Sequence, residues 1–145
     1  MREQLARRTF EKLPSIRMAL DVDGKVISQL VKENGFQQTE GIDWSHVYPY
    51  WLVAEQNGEI IGCIQVRISV PIGGLEMLSV KQDLDHTIKS LVVKSLLLGG
   101  SSTLKQAGAS LAAGVVPFEM KSYKKLLKRR GCVSISVGNI MARRL

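Results

Sequence analysis

This chain has little with which to hold a metal ion or a disulfide. Of its 145 residues, two are cysteine and two are histidine. Cys63 and Cys132 lie far apart, and neither His46 nor His86 has Cys, Asp or Glu partners at ligand spacing, so no metal site is expected. The thiols are expected to stay free and buried, as in a reducing cytoplasm. Long apolar runs are also missing. Lys89 and Lys94 interrupt the longest candidate, short of the roughly 18 residues that a membrane span requires. Arg2, Glu3, Arg7 and Arg8 stand where a signal peptide would carry apolar residues, so a cytoplasmic location is expected. Internal repeats, low-complexity tracts and linkers are absent, which leaves a helical arm over residues 1–14 and one domain over 15–145.

What is present is ordinary in amount and uneven in placement. A hydrophobic fraction of 45% and a charged fraction of 23% fit a globular protein with a single core. The net charge of +7 resides entirely after Val116. That segment holds Lys121, Lys124, Lys125, Lys128, Arg129, Arg130, Arg143 and Arg144 against Glu119 alone. Such a patch meets nucleic acid, a phosphorylated ligand or an acidic protein face, or it is a solvated helix surface. No aromatic residues interleave the basic ones for base stacking, which weakens the nucleic-acid reading.

Periodicity supplies an element order. Leu5, Phe10 and Leu13 make an amphipathic helix that Pro14 stops. Ser15 to Leu20 reads as a strand burying Ile16, Met18 and Leu20. Asp21 or Asp23 caps a helix through Val26, Ile27, Leu30 and Val31, which ends at Asn34-Gly35. Phe36 to Pro49 reads as a loop carrying Trp44, His46 and Tyr48. Asn57-Gly58 joins the strands Tyr50–Glu55 and Glu59–Ser69 in a tight hairpin. After Gly73-Gly74 comes the strand Leu75–Val80, then a helix from about Asp85 with Ile88, Leu91, Val92, Leu96 and Leu104 inward. Gly99-Gly100 within it predicts a break or a close approach. Ala109 to Val116 is a strand, Met120 to Arg130 a helix, and Val133 to Met141 a final strand.

This order resembles the GNAT family of acyl-CoA-dependent N-acyltransferases, over roughly Ser15 to the C-terminus. Its most specific part is Leu75-Glu76-Met77-Leu78-Ser79-Val80, an apolar strand with one carboxylate just before a helix start. The resemblance implies an α+β fold, with a single central mixed, mostly antiparallel sheet that has a V-shaped splay and is flanked by helices. It also implies acetyl-CoA or another acyl-CoA as cofactor. In that family the splayed central strand holds the pantetheine arm through its backbone, which points to Leu78, Ser79 and Val80. The following loop, typically Arg/Gln-x-x-Gly-x-Gly/Ala, wraps the pyrophosphate against a helix N-terminus. Here Lys81, His86, Thr87 and Lys89 fall in that region, and the segment from Lys81 to Lys89 contains no glycine. Thr87 and Lys89 stand where the family has glycine. Asp83 and Asp85 lie where phosphates would bind, an expected repulsion of roughly 3 kcal/mol per unit charge at about 5 Å.

Two positions carry the chemistry that the resemblance implies. Glu76, four residues before Val80, stands where several family members place a general base; pairing with Arg67 on the neighbouring strand is the structural alternative. Alternation sets Glu76 with Leu78 and Val80, opposite Leu75 and Met77. The family signature Asn-x-x-Ala-x-x-x-Tyr-x-x-x-Gly-Phe, registered on Gly131, puts Met120, Leu127 and Cys132 at its Asn, Tyr and Phe positions. Tyr123, one helical turn before Leu127, is either the residue that protonates the departing thiolate or a core-edge tyrosine. The implied function is an N-acyltransferase with a degenerate cofactor loop and an amine-bearing acceptor. The alternative is a catalytically inactive GNAT-fold structural or interaction protein with protein partners, such as a tailed-phage virion component. An open cleft between the Leu75–Val80 and Ala109–Val116 strands separates the first from the second, in which Leu84, Phe118 or Leu127 would fill it.

Overall fold

The computed structural model describes residues 14–36, 50–115, 121–134 and 140–145. The helical arm expected over 1–13, the loop residues Trp44, His46 and Tyr48, and Phe118 lie outside these. In order come β1 (Ser15–Met18), a 3-10 turn (Asp21–Asp23), α1 (Gly24–Glu33), β2 (Trp51–Gln56), β3 (Glu59–Arg67) and β4 (Ile72–Val80). Then follow α2 (His86–Gln106), β5 (Leu111–Val115), α3 (Lys121–Arg129), β6 (Val133–Ser134) and β7 (Ile140–Arg144). The strands form one seven-stranded sheet in the order β1-β2-β3-β4-β5-β7-β6. Every pairing is antiparallel except β4 with β5. The expected mixed, mostly antiparallel sheet flanked by helices is therefore observed.

Period-two alternation divides the core between the two faces. Along β2, Trp51 and Val53 pack with Ile27, Leu30 and Val31 of α1. Leu52 and Ala54 point the other way, into a cluster with Val92, Val93, Leu96, Leu97 and Leu104 of α2. The hairpin turns through Asn57 (φ 52°) and Gly58 (φ 76°), the left-handed pair that the sequence predicts. α2 runs unbroken through Gly99-Gly100. A Cβ on Gly100 would sit 2.6 Å from Leu75 Cδ2, and one on Gly99 3.1 Å from Ile16 Cγ2, so close approach to the sheet, not a break, explains both glycines.

Two edges depart from expectation. β1 stops at Met18, and Met18 and Leu20 are exposed while Ala19 is buried. The chain leaves the strand there, with Ala19 N–H bonded to Trp51 O, and the alternation lapses. The single last strand is instead two, β6 and β7, paired antiparallel.

The centre of the sheet holds the feature that positions the site. β5 pairs with β4 only at Ile72, Gly73 and Gly74. Beyond them the strands diverge, although Gly114 still crosses so near that a Cβ would meet Leu75 O at 2.2 Å. From Leu75 onward β4 has no strand on its outer side among the described residues, the splay that the resemblance implies. β4 also bulges, because Cys63 pairs with Ser79 but Gln65 pairs with Glu76, leaving one extra residue on β4. Met77 absorbs it at φ 53°. Leu75, Leu78 and Val80 therefore share the α2 face, while Met77 and Ser79 turn toward α1. Glu76 lies opposite Leu75, on the α1 face, and not with Leu78 and Val80 as unbroken alternation requires.

Candidate functional site

Strand groups that lack a neighbouring strand must find other partners. The outward groups of β4 do so with side chains from two helices. The Leu78 backbone lies close to the Tyr123 hydroxyl. Val80 O accepts from Asn34 Nδ2 at 3.0 Å, and Val80 N–H donates to Asn34 Oδ1 at 3.4 Å. Beside this edge a cleft of about 860 Å³ opens between α2 and α3. Its size suits a ligand of several rings or a long flexible chain. Neither Leu127 nor Leu84 lines it; both belong to the α2-side core. Between β4 and β5 themselves, where the open cleft was expected, Leu75, Ala112, Leu127 and Met141 close in and only about 30 Å³ is left.

Helical spacing builds the walls. His86, Lys89, Ser90 and Val93 recur at i, i+3, i+4 and i+7, so one stripe of α2 lines the cleft. Lys121, Lys125 and Arg129 recur every four residues along α3 and line the opposite wall with Arg130. Arg130 Nη2 donates to Ser90 Oγ at 2.5 Å and ties the helices together. Its Nε is buried and without an acceptor among the described residues. Five basic side chains thus surround the cleft, and no carboxylate lines it among the described residues. Asp83 and Asp85 are exposed and absent from the lining, so the anticipated repulsion does not act from within it. Asp85 occupies the N-cap of α2 but makes no side-chain cap bond. The first-turn amides, with their partial positive charge, are not taken by that carboxylate.

Among the residues singled out from sequence, the fold brings Leu78, Val80, His86, Lys89 and Tyr123 to this cleft. Lys81 is turned away, its ammonium held by Glu59 at 2.5 Å, which raises its pKa. Ser79 is fully buried on the α1 face, with its hydroxyl on Met77 O at 3.0 Å. Thr87 is exposed on the first turn of α2 and outside the lining. Glu76 pairs with Arg67 at 2.8 Å, the pairing anticipated as its structural alternative.

Tyr123 stands between the two faces, packing against both core clusters and edge-on to Phe36 at 6.0 Å. Burial pushes its hydroxyl pKa well up, and the nearby Leu78 backbone offsets this in part. Glu76 is near enough to add to the rise. The phenol therefore keeps its proton at neutral pH. The α1-side core buries the Cys63 thiol, whose pKa is driven up by that burial, and partial burial raises that of Cys132.

Sequence reasoning missed Asn34, Gln82 and Ser90 as cleft residues. It noted the basic run without seeing that Lys121, Lys125 and Arg129 form a single stripe. Their four-residue spacing was the available signal. Among the described residues there is no His, Cys, Asp or Glu group suited to a metal ion, and no helix is long and apolar enough to cross a membrane.

No protein-family model and no curated protein sequence matches the chain. Solved structures do. The PaiA N-acetyltransferase of Thermoplasma acidophilum, in complex with coenzyme A, superposes with a TM-score of 0.77 at 16% identity, over 91% of this chain and 99% of that one. Diaminobutyrate acetyltransferase EctA of Paenibacillus lautus, with its substrate L-2,4-diaminobutyric acid and coenzyme A, gives 0.69 at 13% identity, over 90% and 93%. N-acetylglutamate synthase of Neisseria gonorrhoeae, complexed with coenzyme A and L-arginine, gives 0.76 at 17% identity. That match covers 92% of this chain but only 34% of the synthase, so the chain spans about a third of that enzyme's length.

Proposed function

We propose that this chain, whose fold is that of the GNAT acyltransferases, binds an acyl-CoA between β4, α2 and α3 and transfers its acyl group to an amine. One observation carries the reading: a cleft with five cations and, among the described residues, no carboxylate on its walls, beside a strand edge that has no strand partner among them. That combination fits a long ligand with amides at one end and several phosphates at the other. Lys89, Lys121, Lys125, Arg129 and Arg130 are the phosphate-binding residues in this reading, replacing the glycine loop by side chains. When bound, an acyl-CoA supplies an activated thioester carbonyl and a thiolate leaving group.

The chain's own groups do the rest. The Leu78 backbone and the Tyr123 hydroxyl meet at one point of the splay, which favours negative charge developing there. Tyr123, protonated at working pH, is the proton donor. Glu76 takes the proton of the amine from the α1 face, after Arg67 releases it. Arg67 is two-thirds exposed, with 66% of its side chain accessible, so its guanidinium can move into water at little cost.

The reading is tested by free-thiol release from acetyl-CoA against a panel of primary amines. Glu76→Gln is expected to lower the amine-dependent rate about 100-fold or more and to leave CoA affinity unchanged. Fold stability is expected to change by less than about 1 kcal/mol, since the Arg67 end of the lost ion pair lies in solvent. The Arg67–Glu76 pair favours a second reading, an acyl-CoA binder without chemistry. That reading holds if CoA binds and no amine raises thiol release above the background of hydrolysis.

A further inference from the structure

Asn34 stands at the C-terminus of α1, 46 residues from Val80 in sequence, yet its carboxamide is saturated against the cleft floor. Nδ2 donates to Leu30 O at 2.8 Å and to Val80 O at 3.0 Å. Oδ1 accepts from Gln82 Nε2 at 2.9 Å and, over the longest of the four contacts, from Val80 N–H at 3.4 Å. Gln82 Nε2 also reaches Val80 O at 3.3 Å. One primary amide thus offers β4 a donor and an acceptor together, as the next strand of a sheet would. It does so where β5 has already diverged.

We infer that Asn34 is a built-in competitor for this strand edge. A ligand whose secondary amide pairs with Val80 must displace the Asn34 carboxamide, so Asn34 and Gln82 set the affinity for an amide-bearing donor. The inference rests on the acyl-CoA reading. Leu78 and Val80 both line the cleft, yet the outward N–H and C=O of Val80 are already engaged by this one side chain. It also places α1, which packs on the opposite face of the sheet, in direct mechanical contact with donor binding. When the amide is displaced, the C-terminus of α1 loses its anchor to β4.

The test is calorimetric binding of coenzyme A to the wild type, Asn34→Ala and Gln82→Ala, with hydrogen exchange of the Val80 amide as a readout independent of turnover. Removing the competing carboxamide is expected to tighten coenzyme A binding by about tenfold, the equivalent of one to two net hydrogen bonds. Gln82→Ala, at an exposed residue whose loss does not threaten folding, is expected to tighten it two- to threefold, by about half of one such bond. In Asn34→Ala without ligand the Val80 amide is expected to exchange faster, and coenzyme A to restore its protection. Unchanged or weaker binding in both folded variants, with wild-type binding intact, overturns the inference and leaves the cofactor reading standing. No binding by any of the three at hundred-micromolar ligand overturns the cofactor reading and the inference with it.

Discussion

Asp23 is the buried carboxylate on which the α1 end of the fold turns. It accepts from Arg17 Nη1 at 2.7 Å, Arg17 Nη2 at 3.2 Å and the Leu20 N–H at 2.7 Å. The Arg17 bond, chiefly, holds its pKa below the ordinary 3.8, while burial acts the other way. A depressed carboxylate pKa contributes stability in full above the ordinary value, and that contribution is lost as pH falls through the lower one. Asp23→Asn is expected to cost roughly 2 kcal/mol at neutral pH and to flatten the acid limb of stability against pH. Denaturant melts between about pH 2 and pH 7 measure both; an unaltered acid limb would remove Asp23 from the account. At this scale the sequence was only partly legible. The Arg67–Glu76 pair could be anticipated, since both sit on neighbouring strands. The Asn34–Val80 contact could not, because nothing local marks a partner 46 residues away.

Elements were more legible than residues. Asn57-Gly58 marked the hairpin, and the glycine pair in α2 proved to mark close approach and not a break, whereas of the expected α1 stripe Ile27, Leu30 and Val31 are buried and Val26 is exposed. The bulge at Met77 was hidden, because a left-handed methionine leaves no compositional trace, and it moved Glu76 to the other face of the sheet. The α3 stripe was legible in its spacing but not in its purpose, which depends on where α2 lies. It yields a sharp prediction. Lys125→Glu with Arg129→Glu is expected to weaken coenzyme A binding at least tenfold and to leave phosphate-free pantetheine binding unchanged. Lys124→Glu with Lys128→Glu makes the same change in charge on residues outside the cleft lining. At physiological salt that second pair is expected to change affinity less than threefold, because screening weakens charges beyond about 8 Å. Equal effects from the two pairs would mean a diffuse field and no built phosphate site.

At the scale of the molecule, the proposed function divides its two roles between the two faces of one sheet. The α2 side offers the anion cleft, the α1 side holds Glu76, and Tyr123 stands in the gap between them. The net charge of +7 is all contributed after Val116, and four of the eight basic residues there, Lys121, Lys125, Arg129 and Arg130, line that cleft. The sequence revealed where the charge lay along the chain, and only the fold revealed what it faces. The central claim is that side chains of α2 and α3 have taken over the work of a glycine loop. It is tested most directly by titrating acetyl-CoA into the protein calorimetrically at low and at physiological salt. The account predicts micromolar binding that weakens severalfold with salt, as phosphates held by cations must. No heat at hundred-micromolar ligand, or binding indifferent to salt, would contradict it.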